Sequence, residues 1–263
     1  MPTWTERTVT TRKGLTIPVR SAGEGEPIVF LHGLVGLAED EPFLDALAER
    51  HAVSAPTWPG FGEREGEDAI EDMLDFALHG LDVIDALGLG RVRLVGHSFG
   101  GMVAAEMACL QADRFERVGL VAPFGLWVDD APIADAFATM AFDLPGLLFA
   151  DAEAGQRALA SGLDFSDDGA LTRFMVDNAR RMGTAGKVLF PVPNRRLSKR
   201  LYRLESETLV AWGAEDALIP PLYAAHWEKA LARGRRVEIA GAGHMVTLEA
   251  AAPLAEAMLD FLA

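Results

Sequence analysis

Short apolar runs alternate along this chain with longer stretches in which apolar residues recur every three or four positions. Pro27-Ile28-Val29-Phe30-Leu31 is apolar throughout, the pattern of a strand buried on both faces of a parallel sheet. Further strands are expected at 51–55, 92–96, 118–122, 208–212 and 236–240. Two opening strands, 3–10 and 15–22, alternate apolar with polar positions around a turn at Lys13-Gly14. The helical period is clearest over 69–87, where Ile70, Met73, Leu74, Ala77, Leu81, Ile84 and Leu87 share a face and Gly88 and Gly90 close the segment. Helices are also expected at 37–50, from the end of strand 92–96 to about Gln111, at 220–232 and at 248–262.

The alternation breaks at Pro123. Residues 124–204 show helical patches at 133–142, 152–160 and 169–182 but no convincing buried strand. Pro145, Gly146, Gly162, Gly183, Gly186, Pro191 and Pro193 punctuate them. Phe124, Trp127, Phe137, Met140 and Phe165 are among their many aromatic and methionine side chains. The expected organisation is an α/β core made of 1–123 and 205–263, interrupted by a helical cap at 124–204.

Composition narrows the partners. The chain has 263 residues, half of them hydrophobic, enough for one large folded domain. Its formal charge is −15, which argues against nucleic acid, since phosphate binding needs a basic face. The basic run Arg195, Arg196, Lys199, Arg200 and Arg203 reads as a solvated face. Cys109, the single cysteine, leaves no internal disulfide and reads as a small buried residue. No apolar run approaches the roughly 18 residues of a spanning helix, and the N-terminus has no signal-peptide core. A soluble cytoplasmic protein with no membrane partner is expected, as a monomer or a homo-oligomer.

The candidate chemistry begins where strand 92–96 meets the following helix, at Gly96-His97-Ser98-Phe99-Gly100. Glycines flank the serine because a tight strand-to-helix turn leaves no room for Cβ atoms. Such a turn presents the Ser98 hydroxyl above the sheet edge and puts the Phe99 N–H at a helix start, free to face developing negative charge. A serine hydroxyl needs a base. Of the six histidines, His244 fits best, in the loop Gly241-Ala242-Gly243-His244 after a short strand. His97 is expected to point away from the turn, and His32 to shape the glycine-rich loop His32-Gly33-Leu34-Val35-Gly36. His51, His79 and His226 have no motif around them. A carboxylate must orient the base, and Asp216 follows the strand ending Trp212-Gly213; Glu215, Asp129 and Asp130 are rivals. Two oxyanion donors are needed: the backbone N–H of Phe99 and that of Leu34. Ser98 and the loops of His32, Asp216 and His244 all follow strand ends, where open α/β sheets bind ligands.

The order Ser98, Asp216, His244, the His-Gly loop ahead of them and the helical insertion resemble the α/β-hydrolase superfamily over nearly the whole chain. The resemblance implies an eight-stranded, mostly parallel sheet with a helical cap. It also implies Ser98 as nucleophile, His244 as base, Asp216 as acid, and Leu34 and Phe99 as oxyanion donors. One departure is Thr57 in Thr-Trp-Pro-Gly-Phe-Gly (57–62), where the family pattern has an aspartate. Within the superfamily, Ser98 argues against the dehalogenases and epoxide hydrolases, whose elbows carry aspartate. Val35 stands where perhydrolases and haloperoxidases have proline. Carbon–carbon hydrolases of ring-cleavage products match in size and cap, but a tryptophan usually follows their histidine, and here Met245 does. The expected reaction is therefore hydrolysis of a carboxylic ester or lactone of a small, largely apolar substrate, with no metal or cofactor. His32, Phe124, Trp127, Phe137, Met140 and Met245 are candidates for the substrate pocket. A carbon–carbon hydrolase and a non-catalytic ligand-binding protein of the same fold are the alternatives.

Overall fold

The computed structural model describes residues 2–61, 66–160, 168–192 and 196–263. Among them eight strands form one sheet: β1 (Thr5–Thr10), β2 (Thr16–Ala22), β3 (Pro27–Leu31), β4 (Ala52–Pro56), β5 (Val92–His97), β6 (Phe115–Val121), β7 (Glu207–Gly213) and β8 (Gly234–Ile239). Their spatial order is β1-β2-β4-β3-β5-β6-β7-β8. β1 and β2 are antiparallel, as are β2 and β4; the other pairings are parallel. The expected mostly parallel α/β sheet is the observed one.

The continuous apolar runs follow from burial of both sheet faces. Val29 and Leu31 of β3 and Val210 and Trp212 of β7 join one core with helices α2 (Met73–Ala86), α3 (Phe99–Leu110) and α7 (Tyr223–Ala230). The residues between them, Ile28, Phe30, Leu209 and Ala211, join a second core with α1 (Pro42–Ala48) and α9 (Ala251–Leu262). The side chains alternate with period two while both sides stay dry.

Several helix bounds differ from expectation for local reasons. Asp72 caps α2 by accepting from the N–H groups of Leu74 and Asp75 at 2.8 and 3.0 Å. The helix expected at 37–50 begins only at Pro42, suited by its fixed φ to a first turn. Residues 133–142 are not helical. Asp135 Oδ1 accepts from the N–H groups of Phe137 and Ala138 and its carbonyl from the Thr139 hydroxyl, which diverts this backbone into turns. The insertion instead holds α4 (Pro145–Leu148), α5 (Ala152–Leu159) and α6 (Asp168–Leu189). The closing helix is split into α8 (Val246–Glu249) and α9, with Ala250 out of the helical region at φ −135° and ψ 47° between them.

Helix α6 runs through Gly183 and Gly186, which read as punctuation in the sequence. Gly186 is a contact surface: a Cβ there would lie 3.6 Å from the Phe137 ring. The helix is docked on the loop after β4 through Arg180 to Glu67 (2.9 Å) and Lys187 to the carbonyls of Glu67 (2.6 Å) and Ile70 (2.9 Å). Gly62, Gly162, Phe165, Pro193 and Arg195 lie outside the described residues.

Candidate active site

β5 delivers the chain into α3 through one residue, Ser98, held at φ 57° and ψ −121°. A non-glycine residue at positive φ costs on the order of 1–3 kcal/mol and persists only where its surroundings over-determine it. Here they do. The Ser98 N–H donates to the Val121 carbonyl at 2.8 Å, and its carbonyl accepts from Met102 and Phe124, both at 3.2 Å. Gly96 and Gly100 allow the turn to close: a Cβ on Gly96 would sit 2.5 Å from the Gly100 carbonyl oxygen, and one on Gly100 would collide with the carbonyls of Leu31 and His32.

Above this turn three polar side chains meet. Ser98 Oγ lies 2.7 Å from His244 Nε2, and His244 Nδ1 lies 2.8 Å from Asp216 Oδ2. All three residues are buried. The second carboxylate oxygen of Asp216 accepts from the N–H groups of Leu218 (3.0 Å) and Ile219 (2.8 Å). With Asp216 as acceptor, His244 carries its proton on Nδ1 and offers Nε2 to the serine hydroxyl. A hydroxyl, an imidazole and a carboxylate in this order can activate an oxygen nucleophile and shuttle its proton.

The glycine-rich loop after β3 closes over the serine. Gly33 approaches so near that a Cβ would be 2.9 Å from Ser98 Cβ. Leu34 follows, and Phe99 opens α3. Among the described residues neither of these backbone N–H groups donates to a protein acceptor. Two unsatisfied amides beside a buried hydroxyl suit a developing oxyanion.

The other two histidines here are scaffolding. His32 accepts from the Trp58 N–H on Nε2 at 3.1 Å and pairs through Nδ1 with the Gly33 carbonyl at 2.9 Å. Burial drives its pKa down to about 4. His97 Nε2 donates to the His244 carbonyl at 2.9 Å, which steadies that loop, and burial drives its pKa down to about 3. Buried His79, on α2, has a pKa of about 4 for the same reason and neither of its ring nitrogens is hydrogen-bonded. For all three the folded pKa lies below the unfolded value, so the unfolded chain binds more protons as pH falls below about 6.5 and stability is lost toward pH 4. Replacing His79 by Phe is expected to flatten this acid limb, with a ceiling of about 3 kcal/mol from a shift of that size. Urea unfolding of both proteins between pH 7.5 and pH 5 checks it; parallel pH dependences would show that His79 is not involved.

The six residues expected in a pocket are dispersed. Phe124 packs its ring 6.1 Å from that of His244. Met245 is buried beside the base, with its N–H on the Leu148 carbonyl at 2.8 Å. His32 belongs to the loop scaffold. Phe137 packs edge-on against Phe190, Trp127 lines a separate small cavity with His226, and Met140 is 71% exposed. A cavity of about 380 Å³ that reaches the glycine-rich loop is walled by Val35 and by residues between Ala141 and Arg181. None of the six expected residues lies on its wall.

Sequence reasoning also missed Glu249. Its carboxylate bridges the Gly243 N–H and the Ala150 N–H, each at 2.8 Å, so it ties the loop of His244 to the insertion. Its spacing one helical turn beyond His244 and Met245 was the available signal. Among the described residues, no three His, Cys, Asp or Glu side chains are grouped to hold a metal ion, and no helix is long and apolar enough to cross a membrane.

The architecture is that of an α/β hydrolase. A family model for the alpha/beta hydrolase family matches residues 28–257, and the chain belongs to that family. It is 28% identical to a 2-hydroxymuconate semialdehyde hydrolase of a Pseudomonas species, over 95% of this chain and 91% of that protein. It is 30% identical over 88% of its length to a dihydrolipoyllysine-residue acetyltransferase component of the acetoin cleaving system of Cupriavidus necator, spanning 62% of that protein. Among solved structures, a meta-cleavage product hydrolase from Pseudomonas fluorescens superimposes with a TM-score of 0.77 at 20% identity, covering 97% of each chain.

Proposed function

We propose that the protein is a serine hydrolase that cleaves the acyl carbon of a small, largely apolar substrate, most simply a carboxylic ester or lactone. The observation that carries this reading is the unbroken hydrogen-bonded line from Ser98 Oγ through His244 to Asp216, at 2.7 and 2.8 Å, on a strained turn. Ser98 Oγ attacks the carbonyl carbon while His244 Nε2 takes its proton. The carbonyl oxygen becomes an oxyanion between the N–H groups of Leu34 and Phe99, and Asp216 stabilises the imidazolium. As the tetrahedral intermediate collapses, the imidazolium protonates the departing alkoxide, leaving an acyl-serine. Water, deprotonated by His244, attacks that ester and the acid is released. The described residues of the insertion, with helices α4, α5 and α6, act as a cap over this site.

A second reading keeps the same residues but expels a carbon leaving group. It is favoured by two relatives aligned over nearly their full length, the 2-hydroxymuconate semialdehyde hydrolase and a 2-hydroxy-6-oxo-2,4-heptadienoate hydrolase of Pseudomonas putida, 26% identical over 95% of this chain. The test runs wild type and Ser98→Ala on p-nitrophenyl esters of graded length and on 2-hydroxy-6-oxohepta-2,4-dienoate. Serine-dependent turnover of esters alone supports the ester reading. Faster serine-dependent turnover of the dienoate moves the assignment to carbon–carbon cleavage. No turnover of either, with tight binding retained, would leave a ligand-binding protein.

Glu249 is a positioning residue in this scheme. Glutamine at 249 keeps one oxygen acceptor and loses the other, so either Gly243 or Ala150 is released. A lowering of kcat by about tenfold with little change in KM is expected, because small displacements of a catalytic group are costly. Equal loss in both parameters, or a large fall in melting temperature, would make Glu249 a structural clamp only.

A further inference from the structure

The cavity beside Val35 has an unusual charge balance for this chain. The protein carries a formal charge of −15, yet among the described residues none on the cavity wall is acidic. Its polar members are Gln156 and Arg157 on α5 and Asn178 and Arg181 on α6; Leu144, Phe174 and other apolar residues make up the rest. Arg181 is half-buried. Nη1 donates to the Val35 carbonyl at 2.7 Å, Nη2 reaches Asn178 Oδ1 only at 3.5 Å, and the buried Nε has no partner. Asp177, its neighbour on α6, favours the charged guanidinium from a distance, against burial. Among the described residues no carboxylate pairs with Arg181 within 4 Å. Leaving the buried Nε of a guanidinium without a partner is costly, and the planar fork of the group matches a carboxylate.

The cavity also lies close to the candidate chemistry. Gly33 faces Ser98, and Val35, two residues on, lines the cavity; two residues of chain span at most about 7 Å. We propose that this cavity is the subsite for a carboxylate on the substrate, remote from the scissile carbonyl, held by Arg181 with Arg157 and Asn178 beside it. The apolar walls take the intervening hydrocarbon. The inference rests on the serine-hydrolase reading for its kinetic test and stands apart from it in its binding test.

The kinetic test compares p-nitrophenyl pentanoate with mono-p-nitrophenyl glutarate, whose acyl chain ends in a carboxylate. Wild type is expected to prefer the glutarate in kcat/KM by at least tenfold. Arg181→Gln is expected to lower that preference at least tenfold, mainly through KM, with Arg181→Lys between the two. The same fall on both esters would mean that Arg181 serves only to hold the Val35 carbonyl, and a wild-type preference for the pentanoate would also overturn the subsite. The binding test needs no turnover. Calorimetry on Ser98→Ala compares 5-phenylpentanoate with 5-phenylpentanol, with and without Arg181→Gln. A preference for the acid that disappears with Arg181 supports the subsite even if every ester fails, and equal affinity for the two ligands overturns it.

Discussion

Ser98→Ala is expected to lower kcat by on the order of 10⁴-fold or more on whatever acyl substrate the wild type cleaves, while leaving the fold intact. The size of the effect follows from what the hydroxyl alone supplies. Ser98 Oγ is the atom that faces His244 Nε2 at 2.7 Å, and no substitute nucleophile stands at the apex of the turn. In the proposed mechanism, acyl transfer without it would have to proceed by direct attack of water, helped only by the Leu34 and Phe99 amides and by binding. Stability is a separate matter. The φ of 57° is imposed by the Ser98 backbone hydrogen bonds to Val121, Met102 and Phe124 and by the glycines on either side. Alanine keeps that backbone and the Cβ. Steady-state kinetics and a thermal melt on the same preparation decide the point: residual activity within tenfold of wild type would remove Ser98 as nucleophile, and a melt shifted by many degrees would show a damaged fold rather than a missing group.

The parts of the fold that were legible in the sequence are those where one physical constraint dominates. β3, β5, β6 and β7 are apolar on both faces because helices cover both sides of the sheet; a strand with one face in water would alternate instead. The meeting of Ser98, Asp216 and His244 could be anticipated from topology, since each follows the carboxyl end of a parallel strand on one sheet edge. The insertion was harder to read. Over 133–142 the apolar spacing suits a helix, but the Asp135 side chain competes for the backbone locally and wins. Over 183–189 the glycines suggest an end, but contacts of α6 with Phe137 and with the 67–70 loop carry the helix on. The wall of the cavity beside Val35 was the least legible. Aromatic content marks Met140 and Trp127 as readily as Phe174, whereas which of them faces a cavity depends on how α5 and α6 dock. In the sequence Arg181 is one more charge on a helix; only its bond to the Val35 carbonyl at the cavity wall singles it out.

Asp216→Asn is expected to cost nearly as much activity as loss of the nucleophile, about 10⁴-fold in kcat, for a reason specific to how this carboxylate is held. Oδ1 accepts from the N–H groups of Leu218 and Ile219 at 3.0 and 2.8 Å, and Oδ2 from His244 Nδ1 at 2.8 Å. An asparagine side chain has one acceptor oxygen and one donor nitrogen, and the two backbone donors require the oxygen on their side. The NH2 group is then turned toward His244, whose Nδ1 must become an acceptor, so the imidazole proton moves to Nε2. In that tautomer Nε2 confronts Ser98 Oγ with a hydrogen instead of a lone pair and cannot take the serine proton. The Leu218 and Ile219 bonds survive, so the fold should be intact and substrate binding little changed. Asp216→Ala would instead strand both backbone donors and is expected to destabilise the loop as well. ¹⁵N NMR of the His244 ring reads the tautomer directly, alongside kcat. A proton on Nε2 with kcat depressed by several orders of magnitude would tie the loss to the tautomer. A proton still on Nδ1, or activity within tenfold of wild type, would show that Asp216 does not orient the base and would bring the other carboxylates near the strand ends, Glu215 and Asp129, back into consideration.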